Sequence, residues 1–526
     1  MRGEKGQTVA TRKDQLDAFN FARRRMVANL VVPTATGSDE GAPRPVKTFA
    51  TSIILSAIAI AAVAVIGVFK PAAPSGWQNG LAVDESTGAA YIYTKSNNQL
   101  HSVYNITSAR LILGGDFAKY DVPDSTINSS GITIGAPVGI LGAPEDVPSA
   151  SGMTLTQWSL CQNEKNPSDQ TQPGGATYLQ VGYGPSEQTP TWTTSSHQGL
   201  IVHDSQDEVF LIAGDYKYEI GNSAQEPTTV NELLTGLNLD EPWTGGDGFW
   251  VSEAWLNAFS LGDSITFPTL AGGVGGVVTD PHAVSGHVGD NGANQGGGGS
   301  VQTDDGLLEL NPFAYDLYLE NPSVHKAATI DSNDLTPSDI ANANPKGNPS
   351  PSTEFSSGTY GTSWPTTSLS LAGSDTTQGD TQNLCVGYDG TYDDGGSVPQ
   401  LTTWTSATLP YGSVGGQFGL SQSGANNEAN NVIVRPGYGL VALRLNGNYG
   451  AGGQEYLIED SDYRYALVTV QTAATSSSQA STSSAKTLLG YQGVNDEQVP
   501  KVWVNLIQGG ASLNPTSAGM TPGSGQ

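Results

Sequence analysis

Basic residues are scarce in this chain. Lysine and arginine number 22 against 50 aspartates and glutamates, a formal net charge of −28. Such a balance argues against nucleic acid and anionic lipid surfaces as partners, since both call for positive fields. Cysteine is scarcer still, with only Cys161 and Cys385. In an oxidising compartment an isolated pair is most simply one disulfide; two buried free thiols are the alternative. A bridge closing so long a loop would stabilise by about 4–5 kcal/mol in the chain-entropy model.

Catalytic and nucleotide signatures are missing too. No G-x-x-x-x-G-K-[ST] P-loop, H-E-x-x-H zinc helix or G-x-S-x-G nucleophile elbow occurs. Gly272, Gly273, Gly275 and Gly276 lack the strand-to-helix context of a dinucleotide loop and read as surface loop. His282 and His287 have no cysteine or carboxylate at ligand spacing, so solvated histidines are the better reading. Asp389, Asp393 and Asp394 crowd a Gly-rich stretch but miss the EF-hand spacing and read as a solvated turn. No catalytic residue, cofactor or metal site is expected.

Long apolar runs are absent except for one. Thr48 to Phe69 holds 22 uncharged residues between Lys47 and Lys70. As a helix at about 1.5 Å per residue it would cross a hydrocarbon core of about 30 Å. A cleaved signal peptide fits poorly, because 47 residues precede the run and its exit is proline-rich. The expectation is a single-pass anchor over 48–69. Nine basic residues against five acidic precede it, and twelve against forty-five follow Lys70. The positive-inside rule keeps the tail cytosolic and places the large acidic part outside.

The tail carries one helical candidate over 11–32. Leu16, Phe19, Met26, Val27 and Leu30 recur at spacings of three and four, and Thr11 with Asp14 resembles a capping arrangement. A basic cluster, Arg23, Arg24 and Arg25, joins Arg12 and Gln15 on this helix. A helix this short has no core of its own, so it should rest on a partner or on the membrane surface.

Beyond the anchor, short strands rich in Val, Ile and Tyr point to a β-rich α+β body with a repeat. Val209 to Ile212 followed by Asp215-Tyr216-Lys217-Tyr218 has a counterpart in Glu455 to Ile458 followed by Asp462-Tyr463-Arg464-Tyr465. Each copy is preceded by a strand and followed by a leucine pair, Leu233-Leu234 and Leu488-Leu489, then by Trp255-Leu256 and Trp503-Val504. Ala90 to Val103 and Leu307 to Leu319 look like weaker copies, giving about four small repeats around a central core. Ile132 to Cys161 reads as core strands tied to Leu384-Cys385-Val386.

In order, the expected divisions are 1–47 tail, 48–69 anchor, 77–120 first repeat, 121–195 first core segment and 196–268 second repeat. There follow 269–300 Gly-rich insertion, 301–340 third repeat, 341–382 low-complexity insertion, 383–436 second core segment, 437–515 fourth repeat and 516–526 disordered tail.

Several stretches resemble EccB, the single-pass membrane component of actinobacterial type VII (ESX) secretion systems. They are Thr11 to Leu16 with Arg23-Arg24-Arg25, the anchor, Leu100 to Asn105 leading to Ser108 to Leu113, and Pro137 to Ile140 with Gly142-Ala143-Pro144. Trp158, Cys161, Tyr456-Leu457-Ile458, Leu489-Gly490-Tyr491 and Leu513-Asn514-Pro515 complete the pattern. The resemblance implies an extracytoplasmic body with a β-rich core and four peripheral repeats similar to a cell-wall-binding fold. It also implies a disulfide within the core and membership of a large inner-membrane complex with homo-oligomeric contacts. The partners it implies are an EccC-like motor ATPase, an EccD-like channel subunit, an EccE-like subunit and the mycosin protease. Some EccB-like proteins are described as ATPases, but no residues here can be assigned to that activity. The alternative function is a membrane-anchored peptidoglycan-binding protein; an exported ATPase or wall hydrolase comes third.

Overall fold

The chain divides into two units, Met1–Ala73 and Pro74–Gln526. The computed structural model describes residues 11–31, 50–60, 73–163, 176–184, 190–193, 197–239, 249–267, 299–303, 306–322, 364–372, 383–406, 420–421, 427–472 and 481–523. Helix α1 spans Arg12–Val31 in the first unit. Its start is a reciprocal cap: Thr11 N and Oγ1 donate to Asp14 Oδ2 (3.0 and 2.6 Å), and Asp14 N donates back to Thr11 Oγ1. Residues 50–60 are also helical, with Ile53, Ile54, Leu55, Ile58 and Ile60 all exposed. Among the described residues no helix is long and apolar enough to cross a membrane. The expected anchor at 48–69 lies outside the described residues at 48–49 and 61–69.

The second unit is β-rich with short helices, and one topology recurs in it. Three antiparallel strands come first, then a helix, a strand parallel to the first, a short helix, and a strand parallel to the third. First in chain order these are β1 (Leu81–Asp84), β2 (Ala90–Thr94), β3 (Gln99–Ser102), α2 (Ile106–Leu113), β4 (Lys119–Val122), α3 (Asp124–Ser129) and β5 (Thr133–Ile134). Sequence patterning suggests an end at 120, but β4 and β5 pair into the same sheet. Residues 136–144, expected as core strands, run instead as a loop over this unit, with one bridge from Val138 to Val103. Pro137 and Pro144 have no N–H for a ladder, and Gly139 and Gly142 sit at φ 133° and 75°, which breaks an extended run.

Strands β6 (Trp158–Asn163), β7 (Thr177–Val181) and β8 (Pro190–Thr193) open the central sheet. The next copy of the topology is β9 (Gln198–His203), β10 (Glu208–Ala213), β11 (Tyr216–Asn222), α4 (Pro227–Gly236), β12 (Phe249–Trp250), α5 (Glu253–Leu256) and β13 (Ser260–Leu261). Helix α4 starts on Pro227 and buries Val230, Leu233, Leu234 and, just beyond its end, Leu237, the three-and-four spacing of one helix face. A hairpin, β14 (Gly299–Thr303) and β15 (Gly306–Leu310), leads into α6 (Pro312–Glu320), which packs on α4. Strand β16 (Ser370–Leu371) adds to β9 in parallel.

The central sheet resumes with β17 (Asn383–Tyr392), β18 (Pro399–Ser406), β19 (Leu420–Ser421) and β20 (Asn431–Val434), in the order β19-β20-β7-β6-β17-β18-β8. A last copy follows: β21 (Gly439–Leu445), β22 (Gly453–Glu459), β23 (Arg464–Ala466), an inserted hairpin β24 (Thr469–Thr472) and β25 (Ser481–Ser484), α7 (Ala485–Leu488), β26 (Asp496–Pro500) and α8 (Lys501–Asn505). The closing strand is reduced to parallel bridges, Arg464 to Gly509 and Leu467 to Leu513. Where the sequence suggests a disordered end, Pro515–Ala518 form helix α9, capped by Asn514, with Ala518 wholly buried against the cluster of Leu111, Leu457 and Leu513.

One apolar cluster binds these elements together. It takes Trp158, Leu160, Val386 and Val432 from the central sheet, Leu200, Val202 and Trp255 from the second copy, and Leu440 and Trp503 from the last. The central sheet is the hub.

Candidate functional site

The repeated motif builds the same small constellation twice. At the turn between β10 and β11, Asp215 Oδ1 accepts a hydrogen bond from the backbone N–H of Leu401 on β18 (2.6 Å). At the equivalent turn after β22, Asp462 Oδ1 accepts from Val434 N–H on β20, also at 2.6 Å. Strands β18 and β20 lie on opposite sides of the hub, so the two aspartates clasp their units to its two flanks.

The basic residue two places on is also used identically. Lys217 Nζ lies over the Phe210 ring (6.0 Å) and donates to Asn257 Oδ1 (2.9 Å). The Arg464 guanidinium lies over Tyr456 (5.4 Å) and donates to Asn505 Oδ1 (3.0 Å). Burial pulls both cations below their usual pKa, partly offset by Glu253 and Asp204 for Lys217 and by Tyr456 and Glu428 for Arg464. Burial lifts Asp215, with Asp393 adding to it against the Leu401 N–H bond. Trp255 and Trp503, each two residues before the asparagine, are wholly buried, and Trp503 Nε1 donates to Ala258 O. Sequence reading pairs the aspartates, basic residues and tryptophans but misses Asn257 and Asn505. Their signal is present, as Trp-x-Asn in both copies.

These groups are committed to each other, and the arrangement is architectural. Among the described residues no group of three or more His, Cys, Asp or Glu could hold a metal ion. Asp389 Oδ1 accepts from Thr391 N and Oγ1, and Asp393 Oδ1 from the N–H groups of Ser397 and Val398, so each shapes its turn. Gly272, Gly273, Gly275, Gly276, His282 and His287 lie outside the described residues.

Cys161 and Cys385 form a disulfide across the centre of the hub, directly opposite each other on β6 and β17 and 224 residues apart in sequence. Both are fully buried beside Trp404.

Helix α1 carries all the proposed docking residues. Arg12, Gln15, Leu16, Phe19, Arg23, Arg24 and Arg25 are exposed along it. At 3.6 residues per turn, Leu16, Phe19, Arg23, Met26, Val27 and Leu30 share a face, whereas Arg24 and Arg25 point to other sides. Phe21 is exposed on the far side, so the helix is not strictly one-sided.

Comparison with known proteins gives a consistent result. The family model described as "Type VII secretion system ESX-1, transport TM domain B" matches residues 8–524. The chain is 31% identical over 252 residues to the ESX-1 secretion system ATPase EccB1 of Mycolicibacterium smegmatis (strain MKD8), covering 44% of this chain and 50% of that protein. It is 32% identical over 151 residues to EccB1 of Mycobacterium tuberculosis (strain H37Rv), covering 29% and 30%. The matched stretches thus span half or less of these relatives' lengths. Among solved structures, the EccB3 dimer from the ESX-3 core complex superposes with a TM-score of 0.58 at 20% identity, over 84% of this chain and 100% of that one. A chain of the intact ESX-5 inner membrane complex gives 0.57 at 18% identity, over 98% and 96%.

Proposed function

The chain belongs to the EccB family of type VII secretion system components, and from that premise we propose that it is a structural component of the inner-membrane core of an ESX-type secretion machine. The observation that carries this is the match of the family model over residues 8–524, tail and body alike. The body would build the extracytoplasmic side and the apolar run 48–69 would anchor it. Helix α1 would dock on cytosolic regions of the partners, a role supported by its exposed apolar face with Arg23 embedded in it.

The partners in this reading are an EccC-like motor ATPase, an EccD-like channel subunit, an EccE-like subunit, a mycosin protease and further copies of this chain. The free energy for transport would come from the motor. This chain's body commits its charged motif residues to its own architecture, and no P-loop pattern exists in the sequence. The division into tail, anchor, four peripheral units and a core split over two stretches belongs to the same proposal.

The test is mild detergent extraction of a C-terminally tagged chain at native expression, with co-purifying proteins identified. Recovery in a large particle with a motor ATPase and a many-helix subunit is expected. Recovery alone or with wall fragments only would overturn the reading in favour of a peptidoglycan-binding protein. In the same experiment, reversing the charge of Arg23, Arg24 and Arg25 together should release the chain from the particle while its body stays folded. Undiminished assembly would remove α1 from the docking role.

A further inference from the structure

The second and last copies surround their motif cation with opposite charge. Lys217 and Arg464 each lie over an aromatic ring, and those residues, Phe210 and Tyr456, pair with Val202 on β9 and Ala442 on β21. Two residues beyond that pairing stands Asp204 in the second copy and Arg444 in the last. Two residues before the shared tryptophan stands Glu253 in the one and the exposed Lys501 in the other. Both positions change sign. Burial lowers the pKa of Lys217, and Glu253 and Asp204 offset it. Burial lowers that of Arg464 too; Tyr456 opposes it, Arg444 adds to it, and Glu428 supplies the opposing carboxylate.

Arg444 lacks any such neutralisation. Its guanidinium lies 5.4 Å from the centroid of the Tyr456 ring, the same distance as that of Arg464. The two cations come from the strands on either side of β22 and are no more than about 11 Å apart. Among the described residues Arg444 makes no hydrogen bond or ion pair, and its Nε is buried without a partner. Its side chain is half-buried, with the Nη edge outward. Elsewhere in the body Arg110, Lys119 and Lys486 each meet an aspartate. Like charges this close in a partly buried setting repel, and an anion on the Nη edge would relieve the repulsion and accept the unused donors.

We propose that Arg444, with Arg464 across the Tyr456 ring, forms a binding site for a carboxylate. The Nη edge of Arg444 presents two parallel N–H groups in one plane, which match the two oxygens of a carboxylate. A single negative charge suits the one guanidinium without a partner, because Arg464 stays engaged by Asn505 and the Ile507 carbonyl. The chemistry is the same whether the carboxylate belongs to a small acid or to an acidic side chain of a protein segment. The inference does not rest on the secretion role.

The experiment is equilibrium dialysis of the full chain in detergent against radiolabelled glutarate and, separately, a labelled peptide alternating Glu and Gly, at an ionic strength held constant with chloride. Glutarate should bind saturably at a single site, with inorganic phosphate competing about tenfold less well. Arg444→Gln should weaken binding about tenfold or more. Arg444→Asp, which restores the charge order of the second copy, should abolish it while unfolding remains one transition. Lys95→Gln, on the exposed turn between β2 and β3, should leave it unchanged. Tighter binding of the peptide than of glutarate, lost in the same variants, would place the carboxylate on a protein partner; weaker binding would place it on a small acid. Absence of saturable binding by both probes, full binding by Arg444→Gln, or an equal loss in Lys95→Gln would overturn the site. Phosphate displacing glutarate at equal concentration would overturn the choice of a carboxylate.

Discussion

Glu459 closes strand β22 with its side chain 2% exposed, held by Ser461, whose N–H and hydroxyl both donate to it. Burial outweighs those bonds and, with Asp460 beside it, raises its pKa to about 7; Glu497 is raised to the same value by burial and Asp389. Both folded-state values lie above the unfolded one near 4.5, so the folded chain holds more protons between those pH values. Stability contributed by these groups is therefore full below about 4.5 and is lost as pH rises to 7. His203 works in the opposite sense. Burial against Trp250, whose ring stacks on it at 4.7 Å, lowers its pKa to about 4, so its contribution is present above 6.5 and is lost as pH falls towards 4. Taken together, Glu459, Glu497 and His203 contribute a net fall in stability from about pH 5 to 7. Glu459→Gln should flatten it, raising stability at about pH 7.5 by roughly 2 kcal/mol and changing little at about pH 4.5. Urea unfolding followed by fluorescence reads this directly, because all nine tryptophans lie after residue 73. A variant as pH-sensitive as the parent would show that Glu459 is ionised when buried.

Among elements, the clasps between the units and the hub matter most. Asp462 is 9% exposed and Asp215 is half-buried, though each bonds a hub N–H at the same distance. Asp462→Ala should cost roughly 2 kcal/mol, the range for leaving a buried backbone N–H without its acceptor, and Asp215→Ala less. Thermal or urea unfolding of the two variants reads the difference. Arg464→Met and Asn505→Ala in a double-mutant cycle should couple by about 1 kcal/mol, and strict additivity would deny the bond its role. Much of this is legible in the sequence. The paired Asp-Tyr-basic-Tyr stretches, the leucine pairs and the tryptophans are local in sequence and survive in both copies. The first copy is harder to see because Asn97-Asn98 stands where the others have the aspartate. The loop at 136–144 passes for strand when its apolar residues are counted without weighing Pro137, Pro144 and the left-handed glycines. What the aspartates bond to is not legible at all, since Leu401 and Val434 are brought to them only by the hub's strand order.

For the whole molecule, the question is whether the peripheral copies melt separately or with the hub. The hub is assembled from two stretches, and the intervening chain between β6 and β17 carries the second copy and helix α6. The Cys161–Cys385 bridge ties the ends of that excursion where the ladder already pairs them. It therefore acts chiefly on the unfolded chain, and closing a loop of 224 residues contributes about 5 kcal/mol in the entropy model. The shared apolar cluster reaches from Leu200 and Trp255 through Trp158 to Leu440 and Trp503, so neither copy can leave without opening the other's packing. The double substitution Cys161→Ala with Cys385→Ala should then lower the unfolding midpoint in one cooperative step, with the denaturant slope raised because the unlinked chain exposes more surface. Trp503→Ala in the intact protein should cost about 3–5 kcal/mol and shift that same single transition. A second, earlier transition in either variant, resolved by calorimetry, would mean that the last copy folds on its own account and that the central cluster is a contact rather than a common core.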